Sequence, residues 1–204
     1  MAMPDKSAAS ASRPARDLAL IATFAGIIAV LGLLPAFYPF GTAVPITAQS
    51  LGVMLAGAVL GGRRGGLSVL LFLALVAVGL PLLSGGRGGL GVFFGPSVGY
   101  LLGFLGAAFV VGWITDRGGP TYKLPWGLAA NILGGIVVLY AFGIAGTALV
   151  ADISVEAAIV GALLFVPGDL IKAALAAVVA RGVNRAYPGL IGTTVPDAKE
   201  TSAV

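Results

Sequence analysis

Neither cysteine nor histidine occurs in this chain. Their absence excludes disulfides, thiol nucleophiles, imidazole bases and the usual soft or borderline metal centres, so the expectation is no catalytic residue, no metal and no cofactor. Charge is scarce as well: 10% of the 204 residues are charged and 58% are hydrophobic. The apolar residues gather in runs long enough to cross about 30 Å of hydrocarbon as helices. A net charge of +4 does not imply a nucleic-acid partner, because the bases lie between apolar runs and not in a patch interleaved with aromatics. The partner implied by this composition is a lipid bilayer.

Apolar runs read against helix breakers predict an all-α, polytopic membrane protein with six transmembrane helices, at about 17–34, 47–61, 66–83, 96–115, 125–148 and 167–186. Residues 1–16 are polar and followed by many spans, so they are read as a retained cytoplasmic tail and not a cleaved signal. Residues 187–204, with Pro188 and Pro196, are read as a second cytoplasmic tail that offers no apolar face to bury. With both termini inside, Lys6, Arg13, Arg16, Arg63, Arg64, Arg117, Lys123, Arg181, Arg185 and Lys199 fall on the cytoplasmic side and Arg87 alone falls in the outer loops. Retention of bases on the inner side supports that orientation, and an odd number of spans would break it. Trp113 and Trp126, beside Arg117 and Lys123, read as interfacial belt residues.

Asp169 and Lys172 interrupt an otherwise apolar segment, Phe165-Val166-Pro167-Gly168-Asp169-Leu170-Ile171-Lys172. A charge toward the bilayer centre costs roughly 2.5 to 3.5 kcal/mol, so such residues normally face a partner, a cavity or a ligand. If Pro167 opens a helix, residues three apart share one face of it. A helix N-terminus favours the acid but not the lysine, which leaves a ligand and a plain ion pair as competing explanations. Upstream, Ser154 can cap a short helix with Glu156 in its first turn; one long helix kinked at Pro167 is the alternative.

Other polar or small residues are candidates of a second rank. Thr47 and Gln49 stand at the outer start of the second span, and Asn131 lies within the fifth, where interhelical bonding is its expected role. Tyr100 can stack on a bound ring or anchor the interface. The loop Ser84-Gly85-Gly86-Arg87-Gly88-Gly89-Leu90-Gly91 lacks the Gly-Lys-Ser/Thr of a Walker A site, so ATP hydrolysis is not expected. It can instead fold over a cavity, with Arg87 offered to an acidic ligand. Gly91, Gly95, Gly99 and Gly103 recur four apart, as do Ala22 with Gly26 and Ala25 with Ala29; such faces allow close helix contact, within the chain or with a partner.

Three stretches taken together resemble the BioY family, the biotin-specific substrate-binding (S) components of energy-coupling factor transporters. They are Val44-Pro45-Ile46-Thr47-Ala48-Gln49, then Gly79-Leu80-Pro81 running through the glycine-rich loop to Gly95-Pro96-Ser97-Val98-Gly99-Tyr100, and Phe165 to Lys172. They follow the family's order, and the resemblance covers about 17–186. The family's Gly-Pro-Thr-Gly-Gly-Tyr stands here with Ser97 and Val98 in its third and fourth places, while the Asp-x-x-Lys element matches fully.

The resemblance implies a bacterial inner-membrane protein that binds biotin from outside and works with a transmembrane coupling subunit and two cytoplasmic ATPases. It also implies that Asp169 and Lys172 contact biotin, whose ureido group offers two N–H donors and a carbonyl acceptor. The valerate carboxylate then falls to Lys172 or Arg87. Tyr100, Phe93, Gly91, Thr47 and Gln49 complete the expected ligand site, with Leu90 and Phe93 over the apolar part. Ala22, Ala25, Gly26 and Ala29 form the expected partner face. The rival readings are an S component for another vitamin, a structural assembly subunit, an intramembrane enzyme using Asp169, and a homo-oligomer working alone.

Overall fold

A computed structural model of the chain describes residues 6–38, 44–119 and 121–191. Among these residues every regular element is a helix, and there is no β-strand. Helix α1 spans Lys6–Gly32. It therefore takes in most of the segment expected as an N-terminal tail, in keeping with the alanines there, which are the best helix formers.

Helix α2, Gln49–Ala77, contains one non-helical residue, Gly61, at φ 80° and ψ 177°. That backbone region is essentially restricted to glycine, and the chain reverses there. Gly65 lies against Ala56 and Gly57, and Gln49 at one end of the hairpin bonds to Leu82 just beyond the other. The limbs, 49–60 and 62–77, are the expected second and third spans. Asp116 holds the reversal by accepting from the Gly62 amide at 2.9 Å, which satisfies an otherwise unpaired donor at the start of the second limb.

The third span was expected to run to residue 83, but its helix ends at Ala77. Gly79 takes φ 107° and Pro81 lacks an amide hydrogen, so the apolar residues 78–83 continue as non-helical chain. Gly85 and Gly86, at φ 80° and 68°, then turn the chain so that Leu83 and Arg87 exchange backbone hydrogen bonds. A 3-10 turn, Leu90–Phe94, leads into α3, Val98–Arg117.

Helix α4, Leu124–Ile132, passes through a π-helical stretch, Leu133–Val138, into α5, Leu139–Ala151. Short helix α6, Val155–Leu163, is capped by Ser154, whose hydroxyl accepts from the Ala157 amide. Helix α7, Val166–Ala186, starts with Pro167 in its first turn and is bent 54° from α6. Two helices meeting at Phe165, and not one kinked helix, are thus what the sequence builds.

Helices α1, α2, α3 and the α4–α5 unit are each long and apolar enough to cross a membrane, and the α6–α7 pair is a fifth. The reversal at Gly61 divides α2 between two crossings, which makes six. Each limb is short, and the non-helical segments beyond their far ends satisfy part of their backbone with protein groups, Phe37 pairing with Ile46, Leu83 with Arg87, and the Gly89 amide donating to the Val76 carbonyl, as irregular chain at membrane depth requires.

The end of the bundle carrying Gly61 also carries most of the bases. There Arg64 bridges three segments: it pairs with Asp17 of α1 at 3.1 Å and donates to the carbonyls of Leu60 and Leu190. Leu190 and Ile191 are 4% and 3% exposed, packed with Leu60, Val111 and Tyr122. This corrects the expectation that everything after 186 is an unpacked tail: two apolar residues beyond Pro188 reach a small core of their own. Trp126 donates to the Ile114 carbonyl, and the Arg117 guanidinium lies over Trp113 at 3.4 Å.

Candidate ligand-binding site

The first turn of α7 places Asp169, and the next places Lys172 on the same face. Their side chains meet at 2.8 Å and are only 5% and 17% exposed. The partners around them come from three other elements. Ser50, at the start of α2, donates to Asp169 Oδ1 at 3.1 Å and accepts from Lys172 Nζ at 3.0 Å. The Thr47 carbonyl accepts from Lys172 Nζ at 2.7 Å. From α5, the Tyr140 hydroxyl donates to Asp169 Oδ2 at 2.8 Å. Every donor of the ammonium is therefore occupied, whereas the carboxylate, with about four lone-pair sites, retains acceptor capacity.

Over this polar cluster stand three rings. Tyr100, Tyr140 and Phe165 meet edge to face, with centroids 5.8 to 6.4 Å apart, the arrangement that aromatic quadrupoles favour. Asp169, Lys172 and Ser50, with the rings of Tyr100 and Phe165, border a cavity of about 60 Å³, which is also lined by Thr47, Gln49 and Arg87. Ser50, Tyr140 and Phe165 were not singled out from sequence as site residues.

Gln49 is 2% exposed and its amide is fully engaged. Nε2 donates to the carbonyls of Ile28 and Leu82, and Oε1 accepts from the Ser84 amide. It thereby ties α1, the start of α2 and the glycine-rich loop into one wall. Arg87 reaches the cavity edge with its Nε on the Ser84 carbonyl, and among the described residues no partner takes its terminal nitrogens. Phe93 packs on the main core, Leu90 is 67% exposed and Gly91 is exposed; none of the three lines the cavity.

On α1, Ala25 is buried within the chain and Ala29 is half-buried, while Ala22 and Gly26 are exposed. The four small residues thus divide between an inward and an outward face. Asn131 donates to the Ala173 carbonyl at 3.3 Å, an α4–α7 bond of the interhelical kind expected. Among the described residues no three acidic side chains gather as a metal site.

The fold and the site together define a multi-pass helical membrane protein with a buried cluster of charged and polar groups near one end of the bundle. A family model for the BioY family matches residues 3–189. The biotin transporter BioY of Rhizobium etli is 53% identical over 179 residues, covering 85% of this chain and 95% of that protein. The biotin transporter BioY of Rhodobacter capsulatus is 50% identical over 188 residues, covering 86% and 97%. The crystal structure of the S-component for biotin from an ECF-type ABC transporter superposes with a TM-score of 0.81 at 33% identity, covering 90% of this chain and 95% of that one. The chain belongs to the BioY family.

Proposed function

We propose that this chain is the biotin-binding S component of an ECF-type vitamin uptake transporter, a transport protein and not an enzyme. The observation that carries the substrate reading is the buried Asp169–Lys172 pair, held by Ser50, Thr47 and Tyr140 at the wall of a cavity roofed by aromatic rings. One of biotin's ureido N–H groups meets the remaining acceptor site of Asp169, and its carbonyl takes a donor from Lys172 in exchange for one of that ammonium's present partners. The edge-to-face rings of Tyr100 and Phe165 cover the apolar bicycle. Arg87, with terminal guanidinium nitrogens uncommitted among the described residues, takes the valerate carboxylate. Thr47 and Gln49 hold the wall behind the ligand, and Gly91 and Phe93 belong to the loop that closes over it.

The bases around Arg63, Arg64, Arg117, Arg181 and Arg185 support a cytoplasmic position for that end, with both termini on the cytoplasmic side of the bacterial inner membrane. The opposite end then faces outward, and the site loads from there. Energy comes from a coupling subunit and two ATPases, which meet α1 at the exposed Ala22 and Gly26.

Calorimetry of the purified chain with biotin, riboflavin and thiamine tests the substrate. Heat of binding with biotin alone, lost in Lys172→Ala, supports the reading; tight binding of either other vitamin overturns it.

A further inference from the structure

A second cleft, of about 140 Å³, lies between α5 and α6 beside the first. The two share Val44, Tyr100 and Phe165 as a common wall. Its α6 side consists of Ala157, Ala158, Gly161 and Ala162, whereas the opposite face of the same helix carries Ile159, Val160 and Leu163 at 42 to 63% exposure. Large apolar residues thus face away from the protein and small ones toward it, as in membrane helices generally, but here the small residues line an open cleft and do not close it.

Gly161 sharpens the point. Glycine weakens a helix interior relative to alanine, and it is repaid where backbones must approach closely or φ must be positive. Neither applies here: a Cβ at Gly161 would meet nothing within 4 Å and the residue is helical. What glycine preserves at 161 is the open volume. The only polar side chains on the lining are Thr147, whose hydroxyl already donates to the Pro96 carbonyl, and Tyr100, so an uncharged, apolar group suits it. A cavity near 150 Å³ accommodates a benzene-sized molecule.

We infer that the α5–α6 cleft is a second compartment of the ligand site, which takes the uncharged apolar part of the ligand when Phe165 and Tyr100 move aside, and that the small residues of α6 set the size accepted there. This rests on the reading of the Asp169–Lys172 cavity as a biotin site. Phe165 is placed for such movement, being the joint between α6 and α7.

Because the chain has no cysteine, Ala158→Cys and Ile159→Cys each create a single thiol. Modification of the intact protein in nanodiscs by a small methanethiosulfonate is followed with and without biotin, beside biotin affinity of Gly161→Leu and thermal unfolding of each variant. Biotin protects Ala158→Cys but not Ile159→Cys, and Gly161→Leu, folded as the parent is, loses about tenfold or more in affinity, as misfit in an apolar pocket does. Unprotected Ala158→Cys with unchanged affinity in Gly161→Leu, in a parent that binds biotin, overturns the second compartment alone. Failure of the parent to bind biotin overturns the substrate reading instead.

Discussion

The Tyr140 hydroxyl donates to Asp169 Oδ2 at 2.8 Å, on the side of the carboxylate opposite Lys172 and Ser50. The acid is thus held from both sides, by a phenol of α5 and by groups of α2 and α7. Tyr140→Phe keeps the ring among Tyr100 and Phe165 and removes the bond. A hydrogen bond to a charged group contributes about 1.5 to 3 kcal/mol to stability, so the thermal unfolding midpoint should fall by several degrees, and biotin affinity should fall with it because the acid loses the group that positions it. Calorimetric affinity equal to the parent's would show that Tyr140 does not position the acid.

Gly61 makes the hairpin of α2, and its test is one of stability. Gly61→Ala forces a side chain into a glycine-only conformation and against the Asp116 carboxylate, at a cost of about 1 to 3 kcal/mol from the backbone alone. The unfolding temperature in detergent should drop by several degrees. An unchanged midpoint would mean that the reversal is not confined to glycine geometry.

At the basic end, Arg64 holds the Leu190 carbonyl and Asp17 together. Arg64→Met retains most of the apolar stem but no donors, so the segment after α7 loses its anchor. Trypsin should then cut at Arg185 faster than in the parent, with biotin affinity unaltered. Equal cleavage rates would leave the burial of Leu190 and Ile191 as the sole hold on that segment.

The outward face of α1 has its own test. A Cβ at Gly26 meets nothing within 4 Å, so Gly26→Leu disturbs no internal contact. Co-purification with the proposed coupling subunit and ATPases should be lost while biotin binding stays at the parent's level. Retention of the whole complex would move the docking surface elsewhere.

Asp169 and Lys172 were legible because two charges in an apolar run demand an explanation, and all six crossings were legible from hydropathy and breakers. Ser50 and Tyr140 were not. A serine and a tyrosine within apolar spans carry no such signal, and what makes them part of the site is their distance from α7, which only the packing of α2 and α5 determines. Gln49 stood out as a buried amide, but its partners at Ile28 and Leu82 are backbone carbonyls and have no sequence signature. The end of the third span was misplaced because Val78 and Leu80 are as apolar as helix residues; they are 78% and 41% exposed in non-helical chain. Leu190 and Ile191 escaped notice because two apolar residues among prolines and polar groups make no periodic face.

The strongest separation of recognition from scaffolding comes from changing the charge pair together. Removing one member of a buried pair leaves the other uncompensated and typically costs about 3 to 5 kcal/mol, whereas replacing both with neutral groups is often neutral or stabilising. Lys172→Met alone strands Asp169 at 5% side-chain exposure, and Asp169→Asn alone leaves Lys172 with Thr47 and Ser50 but without a counter-charge. Both single variants should unfold at lower temperature than the parent, and the double variant should recover most of the loss. Biotin binding should be absent in all three, because the acceptor and donor that match the ureido group are gone whatever the stability. Recovery of binding along with stability in the double variant would make the pair a scaffold element, and would move recognition to Ser50, Tyr140 and Arg87.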